Sequence, residues 1–180
     1  MSDLAKQMPV LRNFADAAVC DAIEQAILGG IDRELVRINV LAFADRHGLD
    51  QEKTTAGFLH ATTLGLFDIS WNVLCPGCGS VLDTNASLKT VIKEQYVCAL
   101  CAGNYEPTLD ELVEVTFTVN PRVRRIAAHN PDDLPVNEYM RQIYWGSGVD
   151  LPENMDELMD TMVIESAEVP PGEKLVLSIQ

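Results

Sequence analysis

The sequence predicts an α+β fold, and three observations lead to that prediction. Apolar residues recur at helical spacing through most of the first seventy positions. Two Cys-x-x-Cys pairs follow, at 75–78 and 98–101, and apolar residues then alternate with polar ones over Val113–Val119. We therefore predict an N-terminal helical domain, 1–72, an inserted cysteine-bearing ribbon, 73–106, and a C-terminal antiparallel β region, 107–180. We expect the last region to continue in a longer polypeptide, because its final residues stay strand-like up to Gln180.

The helical domain is predicted from periodicity and from end signals. We predict helices over Asn13–Leu28, from the cap residue Asp32 to the C-terminal cap Gly48, and over Gln51–Leu64, and then a strand over Phe67–Val73. Gly29 and Gly30 stop the first helix, and Asp50 is placed to cap the third. Three short helices followed by a strand predict a winged-helix-like domain.

The cysteine pairs have the arrangement that a four-thiolate zinc site needs. The predicted metal ligands are Cys75, Cys78, Cys98 and Cys101, with Gly79 and Gly103 giving backbone freedom after each turn. Nineteen residues separate the pairs, as in a zinc ribbon, although rubredoxin-type iron or a redox dithiol stays possible. Four thiolates fill a tetrahedron, so we expect structural Zn²⁺ and no catalytic residue at this site. Cys20 is expected to be a small buried hydrophobe.

The rest of the chain is predicted as strands around one short helix. We predict the ribbon body over Val81–Val97, a strand over Val113–Val119 that ends at Pro121, a short helix over Glu138–Tyr144, and strands over Met162–Val169 and Lys174–Ile179. Residues 130–173 are strongly acidic, which indicates either a solvated face or a surface for a basic partner.

Charge and composition exclude several functions. The chain has 27 acidic against 13 basic residues, a formal charge of −14, so nucleic-acid binding is unlikely. The only cation on the helix that would read DNA, Gln51–Leu64, is Lys53. We find no leader and no apolar run long enough to cross a membrane, so we expect a cytoplasmic protein.

The segments around the cysteines resemble an uncharacterised bacterial domain. The resemblance rests on the run from Trp71 to Gly79, the pair Cys98–Cys101 with its spacer, and Leu109–Val119; Pro121–Arg124 and Pro171–Glu173 also fit. It covers nearly the whole chain from about Leu35 onward. That domain lies at the N-terminus of class III adenylate/guanylate cyclases.

The resemblance implies a regulatory or scaffolding module in cyclic nucleotide signalling. In such proteins a cyclase domain follows and makes a 3′,5′-cyclic nucleotide with two aspartate-held metal ions, and its sites form between two subunits. Nothing in this chain matches that catalytic motif, so we expect no enzyme activity from it. The expected partner is the downstream cyclase domain or a second copy, as a homodimer.

Two alternatives remain. A winged helix followed by a zinc ribbon resembles the order in the alpha subunit of the TFIIE family, which would imply a transcription factor contacting polymerase or DNA. A stand-alone enzyme ranks third, because no catalytic triad, phosphate loop or open metal site supports it.

Overall fold

A computed structural model describes residues 3–87, 95–105 and 113–149, together with Asn154 and Glu157. The chain divides into two compact units, Met1–Asp150 and Leu151–Gln180. Within the described residues, five α-helices accompany antiparallel sheets, which confirms the predicted α+β class. No described helix has the length and apolar character needed to cross a bilayer. The winged-helix and zinc-ribbon assignments and the three-part domain division remain predictions.

Four helices precede the first strand. They are α1 (Asp3–Leu11), α2 (Ala17–Gly29), α3 (Val40–His47) and α4 (Gln51–Thr63). The Asp50 carboxylate accepts a 2.9 Å hydrogen bond from the Lys53 amide and caps α4 as predicted. Gly48 ends α3 with φ of 63°, the left-handed conformation expected of a helix C-terminal cap. Helix α1 was not predicted, although Leu4, Met8 and Leu11 bury one helical face.

The helix predicted from Asp32 to Gly48 begins eight residues later than its predicted cap. Asp32–Glu34 form a single 3₁₀ turn, and the chain then bends through residues 35–37, where Arg37 has φ of 47°. Ile38 forms an isolated β-bridge, and Asn39 caps α3. Ile38 exchanges backbone hydrogen bonds of 2.7 and 3.1 Å with Phe117. The helical prediction was therefore wrong here, because a distant strand supplies these backbone groups with partners that local periodicity does not reveal.

The main sheet has three antiparallel strands in the order β2-β1-β5. The strands of the fold are β1 (Phe67–Leu74), β2 (Val81–Asn85), β3 (Tyr96–Val97), β4 (Asn104–Tyr105) and β5 (Val113–Val119). Strand β1 lies at the centre and pairs with β5 from Phe67 opposite Val119 to Val73 opposite Val113. Strands β3 and β4 form a separate hairpin. The predicted strands at 67–73 and 113–119 are confirmed.

The large core lies between the helices and the main sheet. Phe58 is at its centre, fully buried, with ring centroids 5.0, 5.0 and 5.2 Å from those of Phe43, Phe67 and Phe117. Cys20 is also fully buried, in agreement with its predicted role. The helices thus hold one end of the sheet rigidly, and strand β1 continues from that end into Cys75 without a linker.

After β5 the chain forms two 3₁₀ turns and then α5 (Val136–Tyr139), which continues as a π-helical turn, Met140–Tyr144. The short helix predicted near 138–144 is therefore present. The strands predicted at 162–169 and 174–179 and the middle of the ribbon body, 88–94, lie outside the described residues.

Candidate metal centre

Two hairpins bring the four predicted ligands together. Cys75 and Cys78 lie in the turn between β1 and β2, and Cys98 and Cys101 lie in the turn between β3 and β4. The four Sγ atoms all lie within 4.8 Å of one another. The shortest distances cross between the hairpins, 3.4 Å for Cys75 to Cys101 and 3.6 Å for Cys78 to Cys98.

These distances fit a tetrahedral metal ion. Zn–S bonds of about 2.3 Å place the corners of a regular tetrahedron about 3.8 Å apart. All four cysteines are free thiols, and the cluster contains no His, Asp or Glu side chain. The four cysteines could therefore bind a soft metal ion such as zinc.

The two cysteine turns share one backbone design. In each, the amide that follows the second cysteine donates to the carbonyl of the first, Gly79 to Cys75 at 2.8 Å and Ala102 to Cys98 at 2.9 Å. The amide of the first cysteine donates to the carbonyl of the residue five positions later, Cys75 to Ser80 at 2.8 Å and Cys98 to Gly103 at 3.0 Å. Such a closed turn aims both sulfurs of a pair toward one point.

The backbone freedom predicted at Gly79 and Gly103 is needed at only one of them. Gly79 has φ of 73°, but the equivalent residue of the second turn is Ala102, with φ of 52°. Gly103 is required for space instead, because an added Cβ would lie 2.4 Å from the Tyr105 hydroxyl. That prediction was therefore wrong for Gly103, since close packing and not a left-handed φ excludes a side chain there.

Hydroxyl groups surround the sulfur cluster. Ser80 Oγ lies 3.3 Å from Cys78 Sγ and 3.4 Å from Cys98 Sγ, and Tyr105 Oη lies 3.3 Å from Cys101 Sγ. A hydroxyl that donates to sulfur favours the thiolate, and the Ser80 contact, with the backbone amide of Cys101, lowers the pKa of Cys98 to about 6. The neighbouring sulfur of Cys101 raises the pKa of Tyr105. The surroundings thus favour charged sulfur at Cys98 and a neutral hydroxyl at Tyr105, which suits metal ligation.

The first cysteine turn is fixed to the segment after α5. Gly146 donates its amide to the Gly79 carbonyl at 2.9 Å, and Ser80 forms an isolated antiparallel bridge with Trp145. Burial raises the pKa of Tyr144, whose ring stacks edge-on against Trp145. Trp145 therefore joins the first cysteine turn to the remainder of Met1–Asp150.

A buried polar network beneath the centre was not predicted. Arg37 pairs with Glu114 at 2.8 Å, and each side chain is only 10% exposed. Arg37 also donates to the carbonyls of Ile143 and Trp145 at 2.8 and 2.6 Å, and burial lowers its pKa. Arg37 lies within the helix that was predicted from Asp32 to Gly48, and that prediction gave no sign that its side chain would be largely covered and paired with Glu114.

Asn72 and Thr116 extend this network across the sheet. Asn72 Nδ2 donates to Thr116 Oγ1 at 2.9 Å and to Glu114 at 3.2 Å, while its Oδ1 accepts from Thr84 Oγ1 at 3.1 Å. Asn72 and Thr116 are both fully buried. In the sequence, Asn72 alternates with the apolar residues of β1 and therefore falls on the polar face of that strand. The alternation does not show that other segments of the chain bury this face.

The other candidate residues stay apart from the cluster. His47 packs on Phe43 and His60 stacks on Phe14, with ring centroids 4.3 and 5.9 Å apart. His129 contacts the Val119 carbonyl through Nε2 at 2.7 Å. Among the described residues, none of the three histidines joins the cysteines.

Comparison with known proteins adds one result. No curated protein and no solved structure matches this chain. The match to a family spans residues 1–180, the whole sequence, so the chain belongs to the family of unknown function DUF5939.

Proposed function

We propose that this chain is a non-catalytic, zinc-stabilised regulatory or scaffolding module that acts on an attached class III adenylate/guanylate cyclase domain. The convergence of four sulfur atoms from two separate hairpins supports the non-catalytic part of this proposal. A metal ion held by four thiolates has no open position for water or substrate. Such an ion stabilises the fold and fixes the hairpins relative to each other.

The cyclase part rests on the resemblance found in the sequence. Class III sites form between two subunits, so a module that pairs with a second copy would set how often two catalytic domains meet. The continuity of β1 from the helical core into Cys75 supports this role, because a displacement of the helices would reach the metal centre through a rigid strand.

A nucleic-acid role receives less support. The one cation of α4, Lys53, lies 3.1 Å from Asp16, and the chain carries a formal charge of −14. DNA-reading helices present several unpaired donors to the groove. We therefore retain the transcription-factor function only as an alternative, to be excluded if no salt-dependent DNA binding occurs.

The first test is elemental analysis of the purified chain together with native mass spectrometry. We expect one zinc ion per chain and a dimer. A colourless protein excludes rubredoxin-type iron. A metal-free monomer that folds normally would contradict the zinc-stabilised module and reopen a redox function for the cysteines.

The second test concerns the cyclase. A class III catalytic domain is fused after Gln180, and its cyclase activity is compared with that of the same domain alone. We expect the fusion to change activity several-fold and the variant Cys75→Ala to abolish that change. Cys20→Ala is the matched control, because Cys20 is buried but lies outside the sulfur cluster. Equal activities of fused and free domains would contradict the regulatory role.

A further inference from the structure

A cleft of about 370 Å³ lies beside α3, and none of the four clustered cysteines lines it. One wall is the chain from Ile31 to Arg46, and the other is the π-helical turn with the residues that follow it, from Arg141 to Ser147. Its volume is in the range of small-molecule sites. π-helical turns are rare and are found often at functional sites.

The cleft gathers positive charge on an acidic protein. Four of the 13 basic residues of the chain line it, Arg33, Arg37, Arg46 and Arg141, against a single lining carboxylate, Glu34. Glu138 and Glu114 offset the charges of Arg33 and Arg37, and the positive charge that remains in the cleft attracts an oxyanion. Guanidinium groups match the planar, two-oxygen face of phosphate and carboxylate.

The arginines that line the cleft differ in how closely they pair with other residues of the chain. Arg33 pairs with Glu138, and Arg37 pairs with Glu114 and two backbone carbonyls. Arg46 has only a 3.9 Å ion pair with Glu34, and the two side chains are 60% and 48% exposed. An exposed pair at that distance contributes little, so a ligand can recruit Arg46 at small cost.

The cleft also carries polar atoms without a partner. Arg37 Nε and Gln142 Oε1 are buried, and neither has a hydrogen-bond partner among the described residues. Both residues line the cleft. Buried donors are nearly always satisfied in folded proteins, so the unpartnered Arg37 Nε beside this cleft indicates that an acceptor belongs there. Gln142 Oε1 is itself an acceptor, so it pairs with a hydroxyl or water and not with an oxyanion.

We propose that this cleft binds a small organic anion. Its phosphate or carboxylate group lies between Arg46 on one wall and Arg141 on the other, and its apolar part packs against Trp145. Apolar walls with a few charged groups are typical of small-molecule sites. The proposal does not depend on the cyclase role, because binding is a property of the chain alone.

Binding is measured by NMR titration of the whole chain with phenyl phosphate and, separately, with benzoate. The two probes share a ring and differ in the oxyanion, so they distinguish a phosphate from a carboxylate ligand. We expect saturable binding of at least one probe. The double variant Arg46→Gln/Arg141→Gln should weaken it by about tenfold or more, since charge-assisted hydrogen bonds are lost.

The matched control is Arg122→Gln/Arg125→Gln. It removes the same charge from two exposed arginines outside the cleft lining and should leave affinity within about twofold. If the cleft double variant fails to fold by circular dichroism, Arg46→Gln alone replaces it, with an expected loss of about threefold. No saturable binding of either probe, or equal losses in the cleft and control variants, would overturn the proposal.

Discussion

The helical core and the cysteine-bearing hairpins of the same compact unit are stabilised by different means. The helical core buries Phe58, Phe67 and Phe117 with a large set of aliphatic side chains. Beneath the hairpins, the buried hydrophobic cluster among the described residues consists of Val73 and Tyr96, with Trp71, Leu82 and Val113 partly buried around it. Each fully buried large apolar side chain contributes about 1.5–3 kcal/mol. We therefore expect the helical core to fold through burial alone, and the hairpins to depend on a metal ion bound by the four cysteines.

Metal removal tests this difference most strongly. Apparent binding free energies of structural zinc are on the order of 10 kcal/mol or more. Chelation should therefore release the cysteine turns, and hydrogen exchange should show loss of protection at the Gly79 and Ala102 amides. The α4 amides should keep theirs, because their hydrogen bonds do not involve the centre. Unchanged exchange and thermal unfolding after complete metal removal would show that the hairpins are stable without it.

Truncation of an aromatic core residue should destabilise the helical core more than the cysteine turns. Phe58→Ala removes the ring that contacts three others and should lower the free energy of unfolding by about 3–5 kcal/mol. Leu59→Ala is the control, because the neighbouring side chain is 48% exposed, and should cost about 0.5 kcal/mol or less. Urea unfolding measures both. Similar losses for the two variants would contradict the central position of Phe58.

Glu114→Gln addresses the network that joins the two regions. It leaves the Arg37 guanidinium buried opposite a neutral amide and should destabilise the chain by about 2–3 kcal/mol. Because Ser147 also donates to Glu114, the segment at 145–147 should gain hydrogen exchange. The double variant Arg37→Met/Glu114→Gln removes the unpaired charge, so it should recover part of the lost stability. If the double variant loses the sum of both single effects, the pair is not coupled.

Gly48 tests backbone strain within the helical core. An added Cβ meets no atom within 4 Å, but φ is 63°, so Gly48→Ala should cost about 1 kcal/mol. Gly29 is equally open and lies in α2 without a positive φ, so Gly29→Ala should change stability by about 0.5 kcal/mol or less. Thermal unfolding compares the two variants, and equal effects would exclude strain as the cause.

The smallest effect is expected in the second cysteine turn. Ala102 has φ of 52°, so Ala102→Gly relieves left-handed strain, partly offset by the entropy that glycine loses on folding. The net gain should be about 0.5 kcal/mol, or roughly twofold tighter zinc in competition with a chelator. Weaker zinc binding would show that the alanine methyl supports the turn.

The sequence determined the features that depend on neighbouring residues. Helix α4, its cap at Asp50 and strand β5 follow from periods and end signals within a few residues of each site. The spacing of the cysteines predicted the four residues whose sulfur atoms lie within 4.8 Å of one another in the structure. Helix α1 was also within reach, since its buried residues have helical spacing, although a proline inside it, Pro9, disfavours a helix on local grounds.

Only the tertiary structure decided the features that depend on distant segments. Ile38 is not helical because its backbone exchanges two hydrogen bonds with Phe117 of β5, far along the chain. Arg37 and Glu114 are 77 residues apart, and Arg46 and Arg141 meet at one cleft from opposite walls. Local periodicity records which face of an element is apolar, but the free energy of burial depends on what covers that face. The polar network and the arginine cleft therefore arise from packing that no single segment encodes.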